Sequence, residues 1–182
     1  MDSDSDEADP NLVLQLVLVG FLTLINALSA ATELAVLSAN KNRIKRLSEE
    51  GNKKAKAVLD LLDDETKFLS TIQIVITLAG MFSSATVATT LAQPVADWLA
   101  GMNINYSLQI AYISLTLILV FFNLIFGELF PKRVARRFPD KVALFMARPI
   151  KVVKFLVTPF VKFLSFSTNL IVTITRIEAG VE

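Results

Sequence analysis

The sequence contains neither cysteine nor histidine. Without cysteine the chain can form no disulfide bond and offers no thiolate to a metal. Without histidine it lacks the imidazole group that serves most often as a general base and as a ligand of transition metals. Any bound metal ion would therefore be held by oxygen atoms, which favours Mg²⁺, Ca²⁺ or Na⁺ over zinc or copper. No nucleophile–base pair or phosphate-binding loop is visible in the sequence, so no enzymatic activity is predicted.

Long parts of the chain also lack formally charged side chains. Apolar residues make up 53% of the sequence, more than in an average soluble domain. Three stretches without charge exceed the roughly 20 residues that a membrane-spanning helix needs. They are Asn11–Thr32, Phe68–Ala96 and Trp98–Gly127. The sequence therefore predicts an all-α membrane protein with three transmembrane helices, at about residues 11–39, 68–92 and 107–130, within a transmembrane domain of residues 11–138.

Basic residues are absent from the start of the chain. No Lys or Arg precedes Lys41, and five acidic residues lie among the first nine. Eight basic residues lie from Lys41 to Lys67, none between the second and third spans, and ten after Glu128. The positive-inside rule then places an acidic tail, residues 1–10, outside the plasma membrane, together with the loop at 93–105. The loop between the first two spans and the carboxyl terminus are expected in the cytoplasm, and the start does not fit a cleaved signal peptide.

The loop between the first two spans is predicted to be a cytoplasmic helical hairpin. Its apolar and small residues recur at steps of three and four, with charged residues between them. They are Ile44, Leu47, Gly51, Ala55, Val58 and Leu62. The alternative is an amphipathic, solvated connection that only joins two spans.

Residues 139–182 are predicted to form juxtamembrane amphipathic helices in the inner membrane interface. Pro149 and Pro159 divide this region into segments of about ten residues, which are too short to span a bilayer. Three lysines among the apolar residues would attract the headgroups of anionic inner-leaflet lipids. They are Lys151, Lys154 and Lys162. The alternative is a fourth span over about residues 155–174, which would place the carboxyl terminus outside.

A cation site is predicted at the inner end of the third span. Glu128 follows thirty residues without formal charge, and an acid at membrane depth is a candidate functional residue. Pro131 has no N–H to donate to the carbonyl of Gly127, four residues earlier. Carboxylate and carbonyl oxygens are ligands of hard cations. The alternative for Glu128 is a salt bridge to Lys132, one helical turn later.

The first two spans each carry polar or small side chains along one helix face. These are Asn26, Ser29 and Glu33 in the first span, and Gln73, Thr77, Gly80 and Ser84 in the second. In the third span, Asn123 lies one turn before Gly127. Such faces would turn away from lipid and enclose an oxygen-rich cavity, to which Ser29, Thr77 and Glu33 would contribute. The alternative is that these residues are hydrogen-bonding contacts between helices.

Five segments resemble the transmembrane domain of the CorC/CNNM family, also called hemolysin-like. They are Ala30–Ala35, Arg46–Asn52, Phe68–Ile74, Leu124–Arg133 and Arg137–Ala143. The resemblance covers roughly residues 27–176 and implies a homodimer of three-span protomers, ringed by juxtamembrane helices. It implies Mg²⁺ transport, in several members as Mg²⁺ export in exchange for Na⁺. It also implies that paired cytoplasmic CBS regulatory modules follow the spans, so a chain that stops at Glu182 resembles the membrane domain alone.

The resemblance also implies a set of ligands. Gly127 and Glu128 match the family's carbonyl and carboxylate ligands. The family's other oxygen ligands are a Ser on the first span and an Asn on the second, where this chain has Ala30 and Ile76. The nearest substitutes are the adjacent hydroxyl residues, and one step along a helix turns a side chain by about 100°. They are Ser29 and Thr77.

Two functions are consistent with these features. The first is transport of Mg²⁺, with Na⁺ as the coupling ion, through the intramembrane site. The alternative is a membrane anchor or sensor that does not transport, but dimerises and presents cytoplasmic regulatory modules. No nucleic-acid partner is expected for either.

Overall fold

The structure of the protein is a computed structural model that describes residues 10–175. The first four helices are α1 (Pro10–Ser38), α2 (Lys41–Glu49), α3 (Lys53–Leu62) and α4 (Glu65–Gly101). A continuous rod follows, made of α5 (Ser107–Phe122), a π-helix (Asn123–Leu129) and α6 (Phe130–Arg137), and then α7 (Pro139–Thr175). No strand occurs within the described range, and the predicted all-α fold is confirmed. Most of the acidic tail, residues 1–9, and residues 176–182 lie outside the described residues, as do the side chains of Lys151 and Lys154.

Three helices in the described part of the chain are long and apolar enough to cross a membrane. They are Leu12–Ser38, Glu65–Gly101 and Ser107–Arg137. Within the 18-residue apolar segment of each helix, only 11%, 22% and 11% of the residues, respectively, are buried within the protomer. The rest of that apolar surface is available to lipid or to another protein chain. The predicted three-span architecture is confirmed.

The connection between the second and third spans is shorter than predicted. α4 continues through Pro94 to Gly101, so the expected loop at 93–105 is reduced to residues 102–106. Pro94 withholds a backbone donor from the carbonyl of Thr90. The Gln93 side chain donates a hydrogen bond to Asp97 across the same turn, at 2.8 Å. One lost backbone bond near the end of a long helix is therefore not enough to end it.

The tail also differs from its prediction. α7 is continuous through both Pro149 and Pro159, so the expectation that they divide it into segments of about ten residues is wrong. A proline fixes a helical φ and removes one hydrogen bond, and the turns between two prolines keep theirs. α7 is not among the helices apolar enough to cross a membrane, which does not favour a fourth span. Its placement in the membrane interface stays a prediction.

The buried core lies at the end of the spans where α2 and α3 pack, called here the hairpin end. It joins residues of α1, α2, α3, α4, α6 and α7. Alanines from several helices are fully buried in it, and such small side chains allow helices to approach closely. The largest fully buried hydrophobic side chains there are Phe68, Ile44, Leu61, Ile72, Val36 and Val58. The three spans therefore share one buried core at this end.

Gly51 and Asn52 form the turn between α2 and α3. Gly51 has φ +89°, in the left-handed region that glycine adopts without a Cβ penalty. Its N–H donates to the Ser48 carbonyl at 3.0 Å, and the Asn52 N–H donates to the Leu47 carbonyl at 2.9 Å, the pattern of a Schellman C-cap. Asn52 Oδ1 then accepts from the backbone N–H of Lys54 at 2.9 Å, which caps α3. Two helices thus occupy the region of the predicted hairpin, whereas its cytoplasmic location stays a prediction.

Asp140 fastens this hairpin to the start of α7. Its Oδ1 accepts the backbone N–H of Asn40 at 2.9 Å, and its Oδ2 lies 3.1 Å from Nη1 of Arg43. Asn40 in turn caps α2 by accepting the backbone N–H of Arg43 at 3.1 Å. One carboxylate therefore holds the corner between α1 and α2 against α7.

Candidate functional site

Lys132 lies between the two acidic residues predicted to bind a cation. Its Nζ is 2.9 Å from Oε1 of Glu128 and 3.3 Å from Oε2 of Glu33. The three side chains are 29%, 35% and 24% exposed, so they are partly shielded from solvent. Two carboxylates and one ammonium group leave a formal charge of −1. The structure thus brings Glu33 and Glu128 to one cation, and it contains the salt bridge that was the alternative for Glu128.

Each member of this cluster comes from a different local structure. Glu33 lies near the end of α1, Glu128 lies in the π-helix and Lys132 lies in α6. Glu128 and Lys132 are four residues apart, on the same side of the rod. The ammonium group of Lys132 therefore links the first span to the third at the hairpin end.

Gly127 lies against two asparagine side chains. Nδ2 of Asn26 donates a hydrogen bond to Oδ1 of Asn123 at 3.2 Å, which joins α1 to the π-helix. A methyl group added to the Cα of Gly127 would lie 2.9 Å from Asn26 Nδ2, and closer still to Asn123 Oδ1. Any larger residue here would therefore force the two asparagine side chains to move.

Asn26 also provides an unused acceptor. Its side chain is 3% exposed, and its Oδ1 accepts no hydrogen bond from the described residues. A buried acceptor without a donor costs about 1–3 kcal/mol. A cation or a water molecule bound at this oxygen would recover that cost, so Oδ1 of Asn26 is a further candidate ligand.

The π-helix and Pro131 change the hydrogen bonding of the main-chain carbonyls next to Glu128. The N–H of Phe130 donates to the carbonyl of Ile125, five residues earlier. Pro131 follows and has no N–H, so it can donate neither to Gly127, four residues earlier, nor to Phe126, five residues earlier. α-Helical spacing points to the Gly127 carbonyl as the one that loses its donor, whereas the π-helical register of Phe130 points to the carbonyl of Phe126. Single π-helical turns within α-helices are often found at functional sites.

The two predicted hydroxyl ligands are placed differently. Ser29 is buried in α1, with 4% exposure, on the same helix face as the other polar residues of that span. Thr77 is exposed on the surface of the protomer, so this protomer alone does not bring it to the acidic pair. α4 approaches the site through Gly80, whose Cβ position lies 3.9 Å from Nδ2 of Asn123. The buried face of α4 in this region instead carries Val75, Ala79 and Ser83.

The number of acidic groups limits what the site can bind. No cluster of three acidic side chains that could hold a metal ion is found among residues 10–175. A cation at Glu33 and Glu128 would therefore complete its coordination with neutral oxygens and water. Such a ligand set fits a partly hydrated Mg²⁺, which gives up its water reluctantly.

Two features of the site were not predicted. One is the hydrogen bond between Asn26 and Asn123, and the other is the sharing of Lys132 by both acids. The sequence did contain a signal for the hydrogen bond between the asparagines. Asn26 lies on the same helix face as Glu33, seven residues later, and Asn123 lies one turn before Gly127. The second depends on how the first and third spans cross, which the spacing within a single helix does not specify.

The comparisons with known proteins concern almost the whole chain. Residues 16–182 match the model of the cyclin M transmembrane N-terminal domain. A UPF0053 protein of Synechocystis is 33% identical over 158 residues, covering 86% of this chain and 35% of that protein. The inner membrane protein YfjD of Escherichia coli is 26% identical over 160 residues, 86% of this chain and 34% of that protein. A Haemophilus influenzae protein named polyamine export protein is 25% identical over 162 residues, with 86% and 36% covered. The chain thus spans about a third of the length of these relatives.

Proposed function

Because this chain belongs to the cyclin M transmembrane N-terminal domain family, we propose that it transports a cation across the plasma membrane. The cation proposed is Mg²⁺, exported in exchange for Na⁺. The observation that carries the proposal is the convergence of Glu33 and Glu128, from two different spans, on a single ammonium group. Ionisable residues within membrane-spanning helices are costly, and they often mark ion or substrate pathways.

In this proposal Lys132 is a tethered substitute for the transported ion. When its flexible side chain turns away, the two carboxylates are free for Mg²⁺. The Gly127 carbonyl and Oδ1 of Asn26 add neutral oxygens, and water completes the shell. When the ion leaves, Lys132 returns, so the carboxylates are not left unpaired at membrane depth. The lysine would thus both weaken ion binding and help to release the ion.

The rest of the proposed assembly follows from the family and from the exposed surfaces. We propose a homodimer, with CBS modules in the full-length protein, an external amino terminus and a cytoplasmic hairpin end. Gln73 and Thr77 are exposed within α4 of a single protomer, and polar groups at membrane depth are more stable against protein than against lipid. Contact with a second protomer, or a rearrangement of the spans, would allow Thr77 to join the site.

The proposed alternative is a membrane anchor or sensor without transport. Here Lys132 is the permanent counterion of both acids, and the cluster only fastens α1 to the third span. In this alternative, the fully buried Ala30 occupies a position where a ligand side chain has been lost. Such a protein binds no ion at the site, although it still dimerises and presents regulatory modules.

A second candidate cargo is an organic amine. The acidic pair already holds a primary ammonium group, that of Lys132, at 2.9 and 3.3 Å. An amine cargo would present the same chemical group to the same oxygens. The Haemophilus influenzae relative named polyamine export protein gives this candidate support from outside the structure.

Transport by vesicles that contain the purified protein distinguishes these functions. Mg²⁺ release is followed with a fluorescent indicator, with and without an opposing Na⁺ gradient, and spermidine release is followed in parallel. Glu128→Gln should abolish transport of the true cargo, because it keeps the shape and removes one charge. Glu49→Gln is the control, because Glu49 is exposed on α2, away from the site. Failure of the unmutated protein to move either cargo would favour the anchor or sensor.

A further inference from the structure

An apolar groove lies between α1, the third span and α7. Its volume is about 690 Å³, within the range of about 300–1,000 Å³ that is usual for ligand sites. α1, the third span and α7 line it; α1 contributes two alanines and a leucine, and the other two helices contribute mostly bulky residues. Lining residues include Ala27, Ala31, Phe130, Val134, Phe145 and Met146. This shape and chemistry suit a hydrocarbon chain.

Two cations lie at the α6–α7 junction of this groove. Among the described lining residues Lys141 is the one that carries a charge. Its Nζ is 5.7 Å from the ring centroid of Phe138, which also lines the groove, and the guanidinium carbon of Arg137 is 5.6 Å from that ring. Both distances are within the range of a cation–π contact. Two positive charges thus lie within contact distance of one aromatic ring of the groove.

These two cations have no acidic partner in the part of the chain that the structure describes. No carboxylate lies at ion-pair distance from Arg137 or Lys141 there. The nearest acid in sequence, Asp140, is paired with Arg43 at 3.1 Å. The positive charges are therefore available to an anion from outside the protomer.

We propose that this groove binds one anionic phospholipid. Its acyl chain would lie along Ala27, Ala31 and Phe145. Its phosphate would lie at Lys141, beside the Phe138 ring that Arg137 also contacts. Basic pockets between transmembrane helices are known sites for anionic headgroups, and the junction of α6 and α7 lies at the end of a span, where headgroups are found. The two positive charges favour an anionic lipid over a zwitterionic one, because the phosphate of an anionic lipid such as phosphatidylglycerol has no cationic group beside it. The site is independent of the cation transport proposed above.

A fluorescence experiment tests the proposal directly. The chain has a single tryptophan, Trp98, so Trp98→Phe with Phe145→Trp places the only tryptophan in the groove. Phe145 is 67% exposed, and the substitution keeps an aromatic ring. The protein is reconstituted in phosphatidylcholine vesicles that contain a few per cent of lipid brominated on its acyl chains. The brominated lipid is phosphatidylglycerol in one series and phosphatidylcholine in the other, and retained helicity is checked by circular dichroism.

Brominated phosphatidylglycerol should quench the groove tryptophan far more strongly than brominated phosphatidylcholine. Each basic residue near an anionic lipid is expected to contribute about a fivefold preference. Arg137→Gln with Lys141→Gln should remove the preference. The matched control is Arg133→Gln with Arg136→Gln, which removes the same charge from exposed positions of α6 that do not line the groove. Equal losses in both pairs would mean general surface attraction only and would overturn the proposal.

A second variant tests the groove without changing charge. Ala31→Leu extends a side chain into the apolar lining and should reduce quenching by phosphatidylglycerol several-fold. Unchanged quenching in Ala31→Leu would show that the lipid lies elsewhere. If the tryptophan is instead shielded from both lipids in a protein dimer, a second copy of the chain occupies the groove and the proposal is wrong.

Discussion

Lys132 and Glu33 belong to different spans, yet the lysine Nζ lies 3.3 Å from Oε2 of the glutamate. The same nitrogen lies 2.9 Å from Glu128. Any ion that binds both carboxylates must therefore displace an ammonium group that belongs to the chain itself. In the proposed function, the cation site and the salt bridge, which were alternatives in the sequence, would be two states of one cluster.

Lys132→Met tests whether Lys132 competes with a bound ion for the two carboxylates. The variant keeps an unbranched side chain of nearly the same length but leaves two carboxylates without their cation. Without added cations the free energy of unfolding should therefore fall by about 1–2 kcal/mol. Added Mg²⁺ should then raise the melting temperature more than it does for the unmutated chain. Arg133→Met is the control, since Arg133 is exposed and has no ion pair among the described residues. Equal behaviour of the two variants would contradict the competition between Lys132 and the ion.

Gly127→Ala should destabilise the domain, because its methyl group would collide with Asn26 and Asn123. Overpacking of this kind costs about 1–3 kcal/mol. The control is Gly20→Ala in α1, where the new Cβ meets no heavy atom within 4 Å. Alanine favours a helix over glycine by up to about 1 kcal/mol, so the control should be neutral or stabilising. Thermal unfolding in one detergent compares the two, and a stable Gly127→Ala would contradict the close packing of the asparagines.

Asp140→Ala should loosen the corner between α1 and α2 without unfolding the domain. It removes the acceptor of the Asn40 N–H and the partner of Arg43, and an exposed ion pair contributes up to about 1 kcal/mol. Hydrogen exchange should therefore accelerate at Asn40 and in the first turn of α2. Asp63→Ala removes an exposed carboxylate at the end of α3 and should leave those amides unchanged. Unchanged exchange in Asp140→Ala would mean that the corner does not depend on this carboxylate.

Cysteine labelling tests the predicted orientation. The chain has no cysteine, so Asn105→Cys and Lys54→Cys each introduce a single reporter at an exposed position. An impermeant thiol reagent added to intact cells should label the first variant only, because the basic hairpin is expected in the cytoplasm. Labelling of Lys54→Cys but not Asn105→Cys would reverse the orientation.

The three spans could be predicted because their signal is local. Uncharged stretches of sufficient length and the spacing within one helix were enough to place α1, α4 and the third span, and to put Glu33 and Glu128 on helix faces. From the sequence, Gly51 was interpreted only as one of the apolar and small residues that recur along the hairpin. Its role as a C-cap depends on a left-handed φ, which the structure supplies.

The remaining features depend on contacts between distant parts of the chain. The loop at 93–105 and the division of α7 at Pro149 and Pro159 were misjudged, because a long helix tolerates the one backbone hydrogen bond that each proline removes. The π-helical register could not be read from Pro131 alone. The shared position of Lys132 depends on how α1 crosses the third span, and no pattern within one helix contains that information.

The central claim is that Glu33 and Glu128 bind a cation in competition with Lys132. Isothermal titration of the purified chain with Mg²⁺, followed by Na⁺, Ca²⁺ and spermidine, tests it most directly. We expect binding of at least one of these cations. The affinity should be at least tenfold weaker in Glu128→Gln, or about 1.4 kcal/mol, and unchanged in Glu49→Gln. No binding of any of them by the unmutated chain, or the same affinity in Glu128→Gln, would contradict it.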